Sequence, residues 1–349
     1  MKGRIAEKKK LLTRYDVIEM DKSHKYLQRN QWEKISPYLQ EKMVYAGQLT
    51  NYQEGVCLIE KFYGLTVSQT QHFRVTNHYG ALCSTILEEE PLAANVSDDE
   101  TVYVQCDGSM ILTRELTEGQ TSGCWQEVKL CRVYLSSEGY QSGNRTWLNS
   151  SQYVAHLGHH RDFERKAENL VDSYEHLSER LVFISDGASW IHKWQKSAYP
   201  KATQILDFYH ACEHLAAFAQ TAISDQAQRK KWLDDRKTEL LDSNYNAVSK
   251  NIKNVAKGKS KTVQREKEKL LNYYQKNRER MDYKSFRQRG LNIGSGAIEA
   301  AHRNVIQKRM KQSGQRWTCD KAQNVLNLRA CFMSDKWDRV VDLIRKSAA

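Results

Sequence analysis

Twice in this chain a run of β-branched and aromatic residues leads into Asp-Gly: Val102, Tyr103 and Val104 precede Asp107-Gly108, and Leu181, Val182, Phe183 and Ile184 precede Asp186-Gly187. Such runs read as strands, and a carboxylate buried beside one is costly unless it is paired or binds a cation. One Asp-Gly alone is usually a turn. The same placement on two strands points instead to the edge of a sheet where α/β folds build their sites. ATQILDFYHACEHLAAFAQ repeats the design with a short apolar strand, Asp207 and a helix.

Around these runs, TVYVQCDGSMILT and WQEVKLCRVYL, separated by ELTEGQTSG, read as two antiparallel strands. A helix is expected over about 151–179, ahead of the strand in RLVFISDGASWI. Strand, strand, helix, strand, helix, strand is an α/β order with a mixed sheet. It occupies 99–214, and the last part of the same core is expected over 291–349, beyond GLNIGSG. Between them, 215–290 has no strand-like run and reads as an all-helical insertion, with KTVQREKEKLLNYYQKNRERM as a basic helix. This segment holds nineteen Lys and Arg against nine Asp and Glu, so it carries most of the chain's +12. A charge-rich helix is more often a solvated face than a binding surface.

The chain as a whole has 54 Lys and Arg against 42 Asp and Glu in 349 residues, an excess that favours a polyanionic partner through counterion release. The eight cysteines are scattered with no CxxC pair, which argues against a disulfide framework. The start MKGRIAEKKK lacks the apolar segment of a signal peptide, and no run of eighteen apolar residues occurs. The expectation is a cytoplasmic chain with no membrane partner.

Residues 1–92 read as a helical region, and 51–90 is its sharpest part: a helix, a turn at Tyr63, Gly64 and Leu65, then a second helix that Thr66 or Ser68 could cap. The pair is similar to a helix-turn-helix, whose second helix would present Gln69, Gln71, His72, Arg74 and Asn77 to a major groove. The plainer alternative is a helical hairpin packed on the core. The polar segment PLAANVSDDE marks the expected boundary.

Glu299 lies in GSGAIEAAHRNV, in the first turn of a helix behind two glycines. Two Asp and one Glu from separate elements suit hard, oxygen-seeking cations such as Mg²⁺ or Mn²⁺. His210 and His214, four apart with Glu213 between them, offer a rival zinc reading. That reading lacks both the His-Glu-x-x-His order and a third ligand. Ser185 lacks a nucleophile elbow, and Cys106 and Cys212 read as apolar burial rather than reactive thiols. His302, Arg303, Lys308, Arg309, Lys311 and Arg316 follow Glu299 and would set positive charge where a phosphate backbone must lie, or form an ordinary basic face. Trp190 reads as core; Trp317 could be core or a stacking surface.

Together YVQCDGS, FISDGASWI, QILDFYHACEHL, NIGSGAIEAAHRNVIQKRMKQSGQRWT and NLRACFMSDKWD resemble, in this order and spacing, the conserved blocks of bacterial insertion-sequence transposases of the Kra type. These are relatives of Mutator-like DDE transposases, and the likeness covers about 100–340. It implies an RNase H-like core in which Asp107, Asp186 and Glu299 are catalytic and hold two Mg²⁺ or Mn²⁺ ions. It also implies that Asp207 and His210 match an Asp-x-x-His element that helps position DNA. The departure lies at the front, where members of the family often carry Cys-rich metal-binding segments and this chain has none. The resemblance implies double-stranded DNA as partner, at element ends and target, and a homodimer or higher assembly on it, in a bacterial, nucleoid-associated setting. The alternatives are a catalytically inactive DNA-binding protein derived from a transposase, and an RNase H-like nuclease that cuts without joining.

Overall fold

The two Asp-Gly runs form neighbouring strands of one sheet. The computed structural model describes residues 8–12, 17–21, 35–89, 96–115, 123–142, 145–294 and 296–348. Residues 91–95 of the expected boundary, 116–122 of the expected connecting loop, and Ser295 lie outside them. The fold is α/β, with a mixed sheet of β1 (Val102–Leu112), β2 (Trp125–Leu135), β3 (Gln152–Leu157), β4 (Leu181–Ser185) and β5 (Thr203–Leu206) in the order β3-β2-β1-β4-β5. The first three strands pair antiparallel, while β1–β4 and β4–β5 pair parallel.

β3 occupies the start of the 151–179 segment that the sequence assigns to a helix. In QYVAHL, Tyr153, Ala155 and Leu157 join the core on one face and Val154 joins it on the other, the period of two that defines a strand. The helix begins only at His160, after Gly158 at φ 149°. A second departure lies near the front, where Lys8–Leu12 and Val17–Asp21 pair as an antiparallel ribbon in a stretch patterned for short helices. Lys10 and Glu19 face each other across it at 3.8 Å, a cross-strand pair of the kind that favours a ribbon.

The N-terminal helices are α1 (Pro37–Leu49), α2 (Tyr52–Tyr63) and α3 (Gln69–Glu88). Ser36 caps α1 ahead of Pro37, Gly64 ends α2 in the left-handed region, and Ser68 with Gln71 forms a capping box on α3. α4 (His160–Val171) and α5 (Ser189–Ala198) cover one sheet face, over Val102, Val104, Cys106, Val133 and Phe183. The segment 215–290 is helical throughout its regular structure: most of α6 (Phe208–Ala222), α7 (Gln226–Leu241), α8 (Tyr245–Ala256), α9 (Lys261–Lys276) and α10 (Tyr283–Gln288). Its core joins the opposite sheet face through Tyr103, Val182, Ile184 and Ile205.

Beside it on that second face lie α11 (Gly296–Ala301), a π-helical turn His302–Gln307, α12 (Lys308–Met310) and α13 (Cys319–Met333), packed on Ile111, Leu130 and Ala155. α14 (Trp337–Ala348) follows. The N-terminal helices are not a unit apart: Ile35, Met43, Val44, Val75 and Tyr79 share one core with Leu328, Cys331, Val340 and Ile344 of α13 and α14. No helix among the described residues is long and apolar enough to cross a membrane.

Candidate active site

The parallel strands place three aspartates in register. Cys106 pairs with Ser185 as the last rung between β1 and β4, and Ser185 pairs with Leu206 as the last between β4 and β5. The next residue on each strand is an aspartate: Asp107, Asp186 and Asp207. Because neighbouring strands run about 4.8 Å apart and residues in register share a face, all three belong to the face that carries the helical segment and α11. One pocket of about 80 Å³ is lined by Cys106, Asp107, Asp186, Asp207, His210, Glu213, Ile298 and Glu299. It is small beside sites for drug-sized ligands, which run to about 300–1,000 Å³.

Each acid is fixed locally. Asp107 Oδ1 accepts from its neighbour Gly108 N–H at 2.7 Å, and Asp186 Oδ1 accepts from Ala188 N–H at 3.0 Å. Asp207 caps α6, accepting from Tyr209 N–H at 2.7 Å and His210 N–H at 3.3 Å, while its own N–H extends the ladder to Ser185 O at 3.0 Å. His210 Nδ1 stands 3.2 Å from Glu213 Oε2.

Glu299 arrives from across the pocket on α11, whose approach is pinned to the sheet. Asn292 N–H donates to Tyr103 Oη at 3.1 Å, Phe208 N–H to Ile293 O at 2.9 Å, and Gln105 Nε2 to Gly294 O at 3.4 Å. The buried Arg132 guanidinium donates to Ala297 O and, at 2.9 and 3.0 Å, to Ser151 Oγ. The Tyr209 ring packs over Gly294 so closely that a Cβ there would stand 2.4 Å from it and push the ring aside. Glu299 is exposed at the mouth of the pocket.

Electrostatically the site is a cluster of acids short of cations. Burial, and after it the nearby Asp186 carboxylate, pushes the Asp107 carboxyl up to about 6, against the pull of the Gly108 N–H. His302 lies one turn beyond Glu299 with Nε2 3.2 Å from Asp107 Oδ2, and burial lowers its pKa to about 4. It is therefore neutral near pH 7, and the positive charge expected of it is absent. It opens the π-helical turn, a local widening found frequently at functional sites.

Other expected contacts divide by burial. Arg303, Lys308, Lys311 and Arg316 are exposed beyond Glu299. Arg309 is 1% exposed; its Nε donates to Gly47 O at 2.9 Å and its guanidinium lies between the rings of Tyr52 and Trp317. It cannot reach DNA, because it seals the C-terminus of α1. Trp317 is core, donating to Met310 O at 3.0 Å, and Trp190 packs edge-on against Phe163. In the helix pair, Gln69, Gln71 and Arg74 are exposed. His72 and Asn77 are interior: His72 bonds Tyr52 O and Met43 O, and Asn77 bonds Tyr52 Oη and Phe73 O.

Contacts that sequence reasoning missed come from distant segments. Glu213, weighed there only for zinc, lines the pocket. Arg280 Nη2 donates to Ser185 Oγ at 2.8 Å and to Asp186 O at 3.3 Å. A Cβ at Gly187 would stand 2.2 Å from the Tyr273 ring, which in turn lies 4.1 Å from the His214 ring. No motif announces such pairings.

The donor set, carboxylate oxygens above all, fits a hard divalent cation, although among the described residues no three His, Cys, Asp or Glu side chains stand grouped as ligands. No family model matches the chain, and no curated protein matches it.

Proposed function

We propose that the chain is a DDE-type DNA transposase with an RNase H-like core, in which Asp107, Asp186 and Glu299 hold two Mg²⁺ or Mn²⁺ ions. The observation that carries this reading is the shared rung. Two strands deliver Asp107 and Asp186 one residue past the Cys106–Ser185 pair, and α11 brings Glu299 to the same pocket. The motif resemblance supplies the reaction class. Bound there, the ions would activate water or a 3′-hydroxyl and stabilise the leaving oxygen of an in-line displacement at phosphorus.

The residues divide the remaining work. Asp207 holds the start of α6, so that His210 faces the pocket that the acids line. The exposed Arg303, Lys308, Lys311 and Arg316 would, on this reading, carry a phosphate backbone toward that pocket. In this reading the helices over 215–290 are an insertion in the core that adds basic surface, and α2 and α3 form a helix-turn-helix. Its reading face is narrowed to Gln69 and Arg74, since the Gln71 side chain serves the cap. Cleavage frees a 3′-hydroxyl at the element end and strand transfer joins it to target DNA, with two ends held by a dimer or larger assembly.

The test is cleavage and strand transfer on a labelled duplex carrying the element's own end, with Mg²⁺ or EDTA, for wild type and for Asp107→Ala, Asp186→Ala and Glu299→Ala. Metal-dependent activity that each substitution abolishes while duplex binding persists is the expected result. Binding without cutting by wild type would replace this reading with a DNA-binding protein.

A further inference from the structure

We propose that Arg280 is a positioning residue, through which the helical segment holds the Asp186 turn in place for divalent-cation binding. The inference rests on the metal-carboxylate reading of the site and names a residue that reading does not contain. Arg280 closes a short 3₁₀ turn after α9 and is 3% exposed. Its Nη2 donates to Ser185 Oγ at 2.8 Å, to Asp186 O at 3.3 Å and to Ser185 O at 3.5 Å; Nη1 donates to Asn277 Oδ1 at 3.0 Å.

Among the described residues Arg280 forms no ion pair with a carboxylate, and its Nε is buried without a partner. Sealing a guanidinium in this way costs the fold heavily, and an apolar side chain would fill the same volume without that cost. What the arginine supplies is direction. Three donations converge on Ser185 and Asp186, where β4 ends. Tyr273, from the same helical segment, packs against Gly187 so closely that a Cβ there would stand 2.2 Å from its ring. Backbone and hydroxyl of the Asp186 turn are thus set from the helical segment, while the carboxylate is left facing the pocket. Partners of this outer kind govern ligand orientation, and their loss typically weakens metal affinity about 10- to 100-fold.

The experiment titrates the full-length protein with Mn²⁺ alone, following the free ion by electron paramagnetic resonance, for wild type, Arg280→Met, Arg280→Lys, Ser185→Ala and Asp186→Asn. Thermal melting and duplex binding in EDTA are measured alongside. Arg280→Met is expected to weaken Mn²⁺ binding at least about tenfold with duplex affinity unchanged. Arg280→Lys should recover part of the loss, because an ammonium can still reach Ser185 Oγ. If Arg280→Met melts lower but binds Mn²⁺ like wild type, the residue is only a strut and the inference fails. Should Arg280→Met not fold, Arg280→Lys and Ser185→Ala decide: wild-type Mn²⁺ affinity in both overturns the proposal, and a weakened affinity in both supports it. A wild type that takes up no more Mn²⁺ than Asp186→Asn removes the metal reading itself, and this inference with it.

Discussion

A methyl group at position 187 would stand 2.2 Å from the Tyr273 ring, so the helical segment leaves no room for a side chain beside Asp186 without a shift. Gly187→Ala must push either the ring or the turn aside. The expected cost is about 1–3 kcal/mol, as for other overpacked sites, measured by urea unfolding; on the proposed transposase reading, cleavage would fall further than duplex binding, which a cleavage assay beside a gel shift would show. His156 gives a prediction of another kind. Both its ring nitrogens are buried without a partner, and burial, then the nearby Lys166, lowers its pKa to about 4. The unfolded chain therefore takes up a proton below about pH 6.5 that the folded chain refuses until about pH 4. The stability contribution is complete above that window and is lost as pH falls through it. Asp107, with its raised pKa, works in the opposite sense over pH 4 to 6. Comparing wild type with His156→Gln isolates the histidine: the difference in urea stability between pH 7 and pH 5 is expected to shrink by about 1–2 kcal/mol.

Arg132 acts at the scale of an element, because one guanidinium ties β2 to the first turn of the Glu299 helix through Ala297 O and to Ser151 at the start of β3. Arg132→Met leaves those acceptors buried without donors, at a cost of about 1–3 kcal/mol, and frees α11 to drift. On the proposed transposase reading, cleavage is expected to fall while the melting transition stays cooperative, which calorimetry beside the cleavage assay would show. At this scale the sequence was readable where local chemistry decides. Ser36 before Pro37, Gly64 after α2 and the Ser68 capping box all carry their own signals. It failed at β3, because the six residues Gln, Tyr, Val, Ala, His and Leu are too few for periodicity to exclude a helix, and the decision falls to the β2 edge on which they pair. The three-aspartate register was half legible. Each Asp was visible at its strand end, but the common rung depends on strand order, which no local pattern records.

At the scale of the whole molecule, the first helices and the last ones share one core. Composition changes near residue 92, yet the helices before that point close their core on α13 and α14. Two buried arginines bolt the join. Arg309 donates to Gly47 O, and Arg329 donates to Gln48 Oε1 at 2.6 Å and to Asn304 O, so the carbonyl end of α1 is served from some 260 residues away. Charged side chains near the C-terminus of a chain read as surface, which is why both were placed outside or overlooked. A chain ending at Ser334 is expected to lose the cooperative transition of the N-terminal helices as well as of its own end; circular dichroism melting and limited proteolysis at residues 35–89 would show it. Retention of a protease-resistant N-terminal fragment would mean that those helices fold alone.

That shared core also dictates when the protein comes into being. On the ribosome, Ile35 and Met43 emerge long before Leu328, Cys331, Val340 and Ile344 exist to cover them, so the apolar faces of the first helices stay exposed to chaperones and proteases until α13 and α14 have been made. A chain cut short before α13 therefore lacks the side chains that cover these faces.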